Sequence, residues 1–379
     1  MWDYDDSLAW TVLAATPGLG ADRIGEAIAL MGSPAAVACG SAADWDRAGI
    51  PVPAREFLMS AAAVPGQAVR RWLADDRHHV LPCCDPRFPQ LLRALPQCPV
   101  VLYVSGNLNA LADPQLAIVG SRNPTAHGRE TAFDFAEYFA ERGLGITSGL
   151  AEGIDASAHR GALRGQGITI GVLGTGIDLI YPASNAALHE EICHSGALLS
   201  EFPVGTPPRR GNFPQRNRLI AGLTLGTLVV EAALRSGSLI TARLANALGR
   251  EVFAIPGSIH NPLSRGCHQL IKDGGKLVDC GADILRELNF SAFFSNEIRA
   301  EPGAISAPSL RPGMDKEHKI LLDALGFDPV DLDTLIVRTG FKPEAVSSMV
   351  LILELEGHVQ AAPGGRYSRV ANRRAGGER

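Results

Sequence analysis

Hydrophobic positions change their spacing twice along the chain. Up to about residue 75 they recur at helical intervals. Leu8, Val12 and Leu13 follow Asp5, Asp6 and Ser7, which can cap a helix start, while Ile24, Ile28 and Leu30 run up to Gly32, a helix stop. Between them, TPGLG at 16–20 either joins two helices or, in helix-hairpin-helix fashion, offers backbone N–H groups to a phosphate. From about 79 to 290, short β-rich apolar runs alternate with helical stretches. The runs are VVLYVSG (100–106), LAIVGS (116–121), GITSG (145–149), TIGVLG (169–174), ALLSEF (197–202), GTLVVEA (226–232), EVFAIPG (251–257) and KLVD (276–279). Near-continuous apolar strands separated by helices predict an α/β domain, a Rossmann-like doubly wound parallel sheet covered on both faces. Residues 291–313 mix Pro, Gly, Ser and Ala without a period, as linkers do. From 314 to 370, three helix-period segments ending near glycines precede a Gly-Gly hairpin, the order of a winged helix. The tail, 371–379, is expected to be disordered.

Composition narrows the function. With 46% hydrophobic and 20% charged residues, 379 positions can build two or three domains. The start lacks a secretory pattern and no run is long enough to span a bilayer, so a cytoplasmic protein without a membrane partner is expected. Seven scattered cysteines (Cys39, Cys83, Cys84, Cys98, Cys193, Cys267, Cys280) show no zinc-binding spacing. They read as reduced packing thiols, with adjacent Cys83 and Cys84 as a redox alternative, and no metal or cofactor is expected. A net charge of −5 excludes a protein that coats nucleic acid with its whole surface, so any nucleic-acid site must be a local patch.

Ligands of such sheets bind beyond the carboxyl ends of the strands, and four segments there carry suitable chemistry. After the second predicted strand, Gly120 allows close backbone approach, Ser121 offers hydroxyl and N–H groups to an oxyanion, and Arg122 can fork onto a phosphate. GxGxxG and GxxxxGK[ST] are absent, which argues against dinucleotide and P-loop chemistry. Next come Ser148 and Gly149, followed by Asp155 and His159, four apart on a helix, either an acid–base pair or a helix cap with an ordinary neighbour. The third segment, 202–230, has no acidic residue and contains Arg209, Arg210, Arg216 and Arg218, with Phe213 and Asn217 among them; arginines beside an aromatic suit phosphate contact plus base stacking on a single strand. Fourth, Ser236, Gly237 and Ser238 lie at a predicted helix N-terminus, which attracts anions.

At these residues the sequence resembles the DprA/Smf family. IVGSR, TSGLAEGIDASAH, GVLGTGIDLIYP, LLSEFP, FPQRNRLIAGL, VVEA, SGSLITA, FAIPG and GCHQLI follow one another in that family's order and spacing. The resemblance implies a non-catalytic protein that binds and protects single-stranded DNA and loads the recombinase RecA during natural transformation. It also implies SAM-like or helix-hairpin-helix character for 1–75, a Rossmann-like domain over 79–290 and a winged helix over 314–370. A homodimer through the far end of the Rossmann-like domain is implied too, with His268, Ile271 and Leu277 as candidate contacts. Glu152 and Ala183 stand where the family commonly has Arg and Lys, and Arg164, Arg209 or Arg210 would have to compensate.

The winged-helix segment 314–365 holds nine acidic residues against four basic ones, and its predicted recognition helix carries Glu344, Glu354 and Glu356 without Lys or Arg. Such a helix is repelled by a DNA groove, so this module is expected to meet protein and add little DNA affinity. Two other readings remain at this level: a nucleotide phosphoribohydrolase using Glu231 or Glu201 as base, and a structural adaptor whose arginines serve dimerisation.

Overall fold

A computed structural model describes residues 6–60, 67–290, 316–326 and 329–370. Asp5, the expected linker at 291–313 and the expected tail at 371–379 lie outside them. The chain forms two compact units.

The first opens with helices α1 (Asp6–Ala15), α2 (Ala21–Met31), α3 (Pro34–Ala38), α4 (Ala42–Arg47), α5 (Val52–Met59) and α6 (Gln67–Trp72). Helix α2 stops where Gly32 takes φ 94° and returns its N–H to the Ile28 carbonyl at 2.7 Å. Ser33 and Ser41 cap α3 and α4 through their hydroxyls. Leu13, Ile24, Val37 and Trp45 bury in one core with Tyr103 and Leu198 of the sheet, so these helices are packed onto it.

Nine strands follow: β1 (His78–Pro82), β2 (Val101–Gly106), β3 (Gln115–Val119), β4 (Gly145–Ser148), β5 (Thr169–Val172), β6 (Ala197–Ser200), β7 (Gly226–Val229), β8 (Glu251–Ala254) and β9 (Lys276–Leu277). Between and after them come α7 (Gln90–Arg93), α8 (Ala126–Ala140), α9 (Ile154–Arg164), α10 (Ala186–Ser195), α11 (Asn212–Leu223), α12 (Ser238–Ala247), α13 (Arg265–Lys272) and α14 (Gly281–Glu287). The sheet order is β1-β2-β6-β5-β4-β3-β7-β8-β9. From β6 to β9 every pairing is parallel, as the covered apolar strands require. The expectation of a purely parallel sheet needs correcting at one edge: β2 runs antiparallel to β6, and β1, which apolar spacing did not reveal, runs antiparallel to β2.

Strand β3 is buried at every position, and its alternate residues enter different cores. Leu116 and Ile118 pack with Phe135 and Phe139 of α8 and Ile154 of α9. Ala117 and Val119 pack with Leu219 and Ile220 of α11 and Leu239 of α12. Chain order reverses at β3, with β4 on one side and β7 on the other. The loops leaving β3 and its neighbours therefore diverge and open a crevice at the carboxyl edge.

The second unit contains α15 (Lys316–Leu325), β10 (Val330–Asp331), α16 (Leu332–Thr339), α17 (Pro343–Leu355), β11 (Val359–Ala362) and β12 (Arg366–Arg369), with a sheet ordered β10-β12-β11. Leu321, Leu335, Val346, Val350, Leu353 and Val359 form its core, and the hairpin β11–β12 is the wing. Glu344, Ser347, Ser348, Leu351, Ile352 and Leu355 of α17 are exposed.

Candidate nucleic-acid interface

The crevice holds a cavity of about 500 Å³, walled by the loop after β3, the start of α9, Tyr181, helix α11 and the N-terminus of α12. From the first of these come Gly120 and Arg122. A β-carbon at Gly120 would lie 2.6 Å from the Ile154 side chain, so the glycine there admits α9 as well as a ligand. Arg122 is exposed, with its guanidinium 5.4 Å from the centre of the Phe213 ring. Ser121 is turned inward to the fold: its N–H donates to the Glu231 carbonyl at 2.7 Å and its hydroxyl accepts the Asn123 N–H at 3.1 Å. The N–H read from sequence as an oxyanion donor is thus already engaged.

After β4 the residues brace the fold. Ser148 is fully buried and donates its hydroxyl to the Ile118 carbonyl at 2.6 Å. Gly153 takes φ 83°, and a β-carbon there would come within 2.4 Å of the Ser121 carbonyl and 2.6 Å of that of Arg122. Only glycine fits that contact. Asp155, the second residue of α9, accepts the N–H groups of Gly149 at 3.2 Å and Ala151 at 3.4 Å, drawing the loop onto the helix end.

The arginines of the acid-free run separate by depth. Arg216 is 4% exposed and donates to the carbonyls of Gly149, at 2.7 Å, and Val172. A β-carbon at Gly149 would lie 2.6 Å from this guanidinium, so that glycine makes room for arginine rather than phosphate. Burial lowers the Arg216 pKa to about 10 while the Asp155 charge opposes the fall, which leaves a cation at neutral pH on the cavity floor. Burial pushes the Asp155 carboxyl up, against Arg216 and the backbone N–H groups. Arg218 points elsewhere, to the Gln97 carbonyl at 2.6 Å and to the Glu201 carboxylate. Arg210 and Arg209 are exposed, Arg210 on the cavity wall. Asn217 reaches the wall too, with its amide 3.4 Å from the Gly237 carbonyl.

Ser236, Gly237 and Ser238 stand at the start of α12, where Gly237 provides no side-chain cap. The hydroxyls of Ser236 and Ser238 lie 2.7 Å apart on the cavity wall at this electropositive helix end, while the N–H groups of Leu239 and Ile240 are engaged by the Ser236 and Gly237 carbonyls at 3.2 and 3.0 Å. Tyr181 was not singled out from sequence. Its ring lies 5.6 Å from that of Phe213, so Arg122, Phe213 and Tyr181 form a ladder of flat groups. Beside it opens a space of about 180 Å³ with Glu152 in its wall.

The possible acid–base pair does not form. His159 is fully buried and hydrogen-bonds Thr169 Oγ1 at 2.7 Å through Nδ1. Thr169 donates to the Ile146 carbonyl, so the histidine Nδ1 carries the proton. Burial, then the nearby Arg216 charge, pushes the His159 pKa down to about 3. Glu201 and Glu231, the bases required for a nucleotide hydrolase, are absent from the cavity wall.

Residues 79–289 match the model of DNA recombination-mediator protein A. The chain belongs to the DprA/Smf family. Residues 305–365 match the DprA winged helix domain. Protein Smf of Escherichia coli K12 is 43% identical over 295 residues, 78% of each chain. DprA of Streptococcus pneumoniae R6 is 47% identical over 206 residues, 54% of this chain and 73% of its own. Among solved structures, Streptococcus pneumoniae DprA aligns with a TM-score of 0.63 at 36% identity, covering 76% of this chain and 99% of that one. Helicobacter pylori DprA, whose structure is described for a unique single-stranded DNA binding mode, aligns with a TM-score of 0.52 at 29% identity, covering 57% and 97%.

Within this DprA/Smf chain, Glu152 accepts a hydrogen bond from the Ser184 hydroxyl at 2.7 Å, and Ala183 is exposed nearby. Arg164 is in the last turn of α9, opposite the end that meets the cavity, and pairs with Glu137 at 3.7 Å. It therefore cannot replace charge at the crevice, which leaves Arg209 and Arg210 for that role. At the far edge of the sheet, Leu277 on β9 is 52% exposed, Ile271 packs partly against the core, and His268 Nε2 lies 3.0 Å from the Gly257 carbonyl. No helix among the described residues is long and apolar enough to cross a membrane.

Proposed function

We propose that this chain grips single-stranded DNA at the carboxyl edge of its sheet, protects it and loads RecA on it during natural transformation, without chemistry of its own. The observation that carries the reading is convergence on one cavity of two exposed guanidiniums, Arg122 and Arg210, the α12 N-terminus and the Phe213–Tyr181 ring pair. Phosphates take the guanidiniums and the Ser236–Ser238 turn, and bases stack on the rings. Gly120 and Asn217 line the path, with Arg209 beside it. Ser121, Ser148, Gly149 and Arg216 shape the site from inside, and Arg218, turned to Gln97 and Glu201, stands apart from it.

The experiment is a salt titration of fluorescence anisotropy with oligo-dT and with duplex. The expected result is preference for the single strand and affinity that falls steeply with salt. Equal affinity for both, or a flat salt dependence, sinks the reading. A homodimer through the β9 edge goes with it, resting on exposed Leu277. Light scattering should report a dimer for the native chain and a monomer for Leu277→Asp, and a native monomer would remove that part.

A further inference from the structure

Two spaces meet at the ladder of Arg122, Phe213 and Tyr181. The larger, of about 500 Å³, has Arg122 and Arg210 in its wall and the start of α12 at one side. Its carboxylate, Asp155, is 8% exposed and already accepts the N–H groups of Gly149 and Ala151. The smaller, of about 180 Å³, shares Arg122 and both rings and adds the Glu152 carboxylate, absent from the wall of the first. Thr175, also in that wall, gives its hydroxyl to the Leu179 carbonyl at 3.2 Å. The rings are fixed by close packing, since a β-carbon at Gly174 would lie 2.8 Å from the Phe213 ring, and Tyr181 sits 5.6 Å from Phe213.

Glu152 stands on the loop between β4 and α9, and its Oε1 accepts the Ser184 hydroxyl at 2.7 Å. Ser184 closely follows Tyr181 and Pro182, which line the same space, so the carboxyl reaches from one wall to the turn that forms another. Glu152 is exposed, and among the described residues no ion pair and no second hydrogen bond holds its carboxylate. A carboxylate accepts hydrogen bonds and donates none, so it repels a phosphate and attracts a neutral N–H donor. The phosphates of a strand therefore keep to the larger space, and the smaller one takes a base against the rings.

We propose, resting on the single-strand reading above, that Glu152 selects the base held beside the ladder, favouring one with an exocyclic amino group over thymine or uracil. Cytosine presents its C4 amino group as a donor to the carboxylate, whereas thymine and uracil present a carbonyl oxygen at the same position. The space is about six times the ~30 Å³ of a water molecule in the liquid, room for a single base. Cytosine and uracil share one ring outline and stack alike, so a difference between them reports the hydrogen bond alone. Ser184 is the positioning residue, holding one carboxylate oxygen and leaving the other for the base.

The test measures fluorescence anisotropy of the full-length protein with oligo-dC and oligo-dU of equal length at one salt concentration. Native protein should bind oligo-dC about fivefold or more tighter than oligo-dU. In Glu152→Gln the amide can turn either its oxygen or its NH₂ to the base, so the two affinities should come within about twofold of each other. Oligo-dU affinity should not fall in that variant, because the charge facing the uracil carbonyl is gone. Equal native affinity for the two oligonucleotides, or a cytosine preference that persists in Glu152→Gln, would overturn the proposal and leave the single-strand reading standing. Failure of the native protein to bind either oligonucleotide would remove that reading, and the role of Glu152 with it.

Discussion

The rim of the cavity and its floor both carry arginine, at very different exposures. Arg122 on the rim lies open over the Phe213 ring, whereas Arg216 on the floor is 4% exposed and clasps the carbonyls of Gly149 and Val172 beside Asp155. An exposed guanidinium keeps its donors for a visiting anion. A buried one that already donates to two carbonyls has turned part of its hydrogen-bonding capacity to the fold, and its removal leaves those carbonyls without that donor away from water. The contrast separates a group placed to meet a ligand from one that holds the cavity in shape.

Arg216→Ala gives the sharpest test of this contrast. A loss of about 1–3 kcal/mol for each buried carbonyl left unsatisfied is expected in urea unfolding. Near-native stability with abolished DNA binding would move Arg216 from scaffold to ligand contact. Next in size, Arg122→Ala combined with Arg210→Ala should weaken oligo-dT binding by about tenfold at low salt. The salt slope should fall by about 0.7 for each phosphate that is no longer neutralised, with little change in melting temperature. Binding unchanged in that double variant would mean the rim carries no phosphate.

The floor also has a pH signature. His159 has a folded pKa near 3 against an ordinary 6.5, so the folded protein keeps it neutral. Below pH 6.5 the unfolded chain takes up a proton that the folded one refuses, and stability falls toward pH 3 by up to about 1.4 kcal/mol per pH unit. The raised Asp155 carboxyl acts in the opposite direction, losing stability as pH rises from 3.8, so the histidine contribution is read as the difference between the native and His159→Gln profiles. Urea unfolding at pH 7.5, 6.5 and 5.5 should show the decline, and His159→Gln should flatten it; two parallel profiles would contradict the neutral buried ring. The smallest effect is expected from deleting 314–379. With no cation on α17, single-strand affinity should stay within about threefold, and a tenfold loss would overturn that expectation.

Much of this fold is legible in the chain. Strands β3 to β8 are short and mostly apolar, so spacing alone finds them, although GTLVVEA runs past the end of β7 at Val229 because Val230 and Ala232 stay buried in the loop. Strand β1, HHVLP, escapes because an edge strand with histidines and a proline has no apolar run. The site is legible as a set of loops and less so as a set of contacts. An acid-free run looks uniformly exposed in one dimension, yet helical period divides it: Arg216 shares a face with Leu219 and Leu223, both buried, and follows them inward. Tyr181 carries no charge and lies far from Phe213 in sequence, so only folding makes it part of the ladder.

Gly153 has a mechanical consequence. Its bare α-carbon rests against the Ser121 and Arg122 carbonyls, and the Ile154 N–H donates to the Ser121 carbonyl at 3.1 Å, so two turns from separate strands are keyed together. A pull on a strand held at Arg122 would pass straight into α9 and the body of the sheet, and a grip there would act as a stiff jaw, where an independent loop would stretch like a tether.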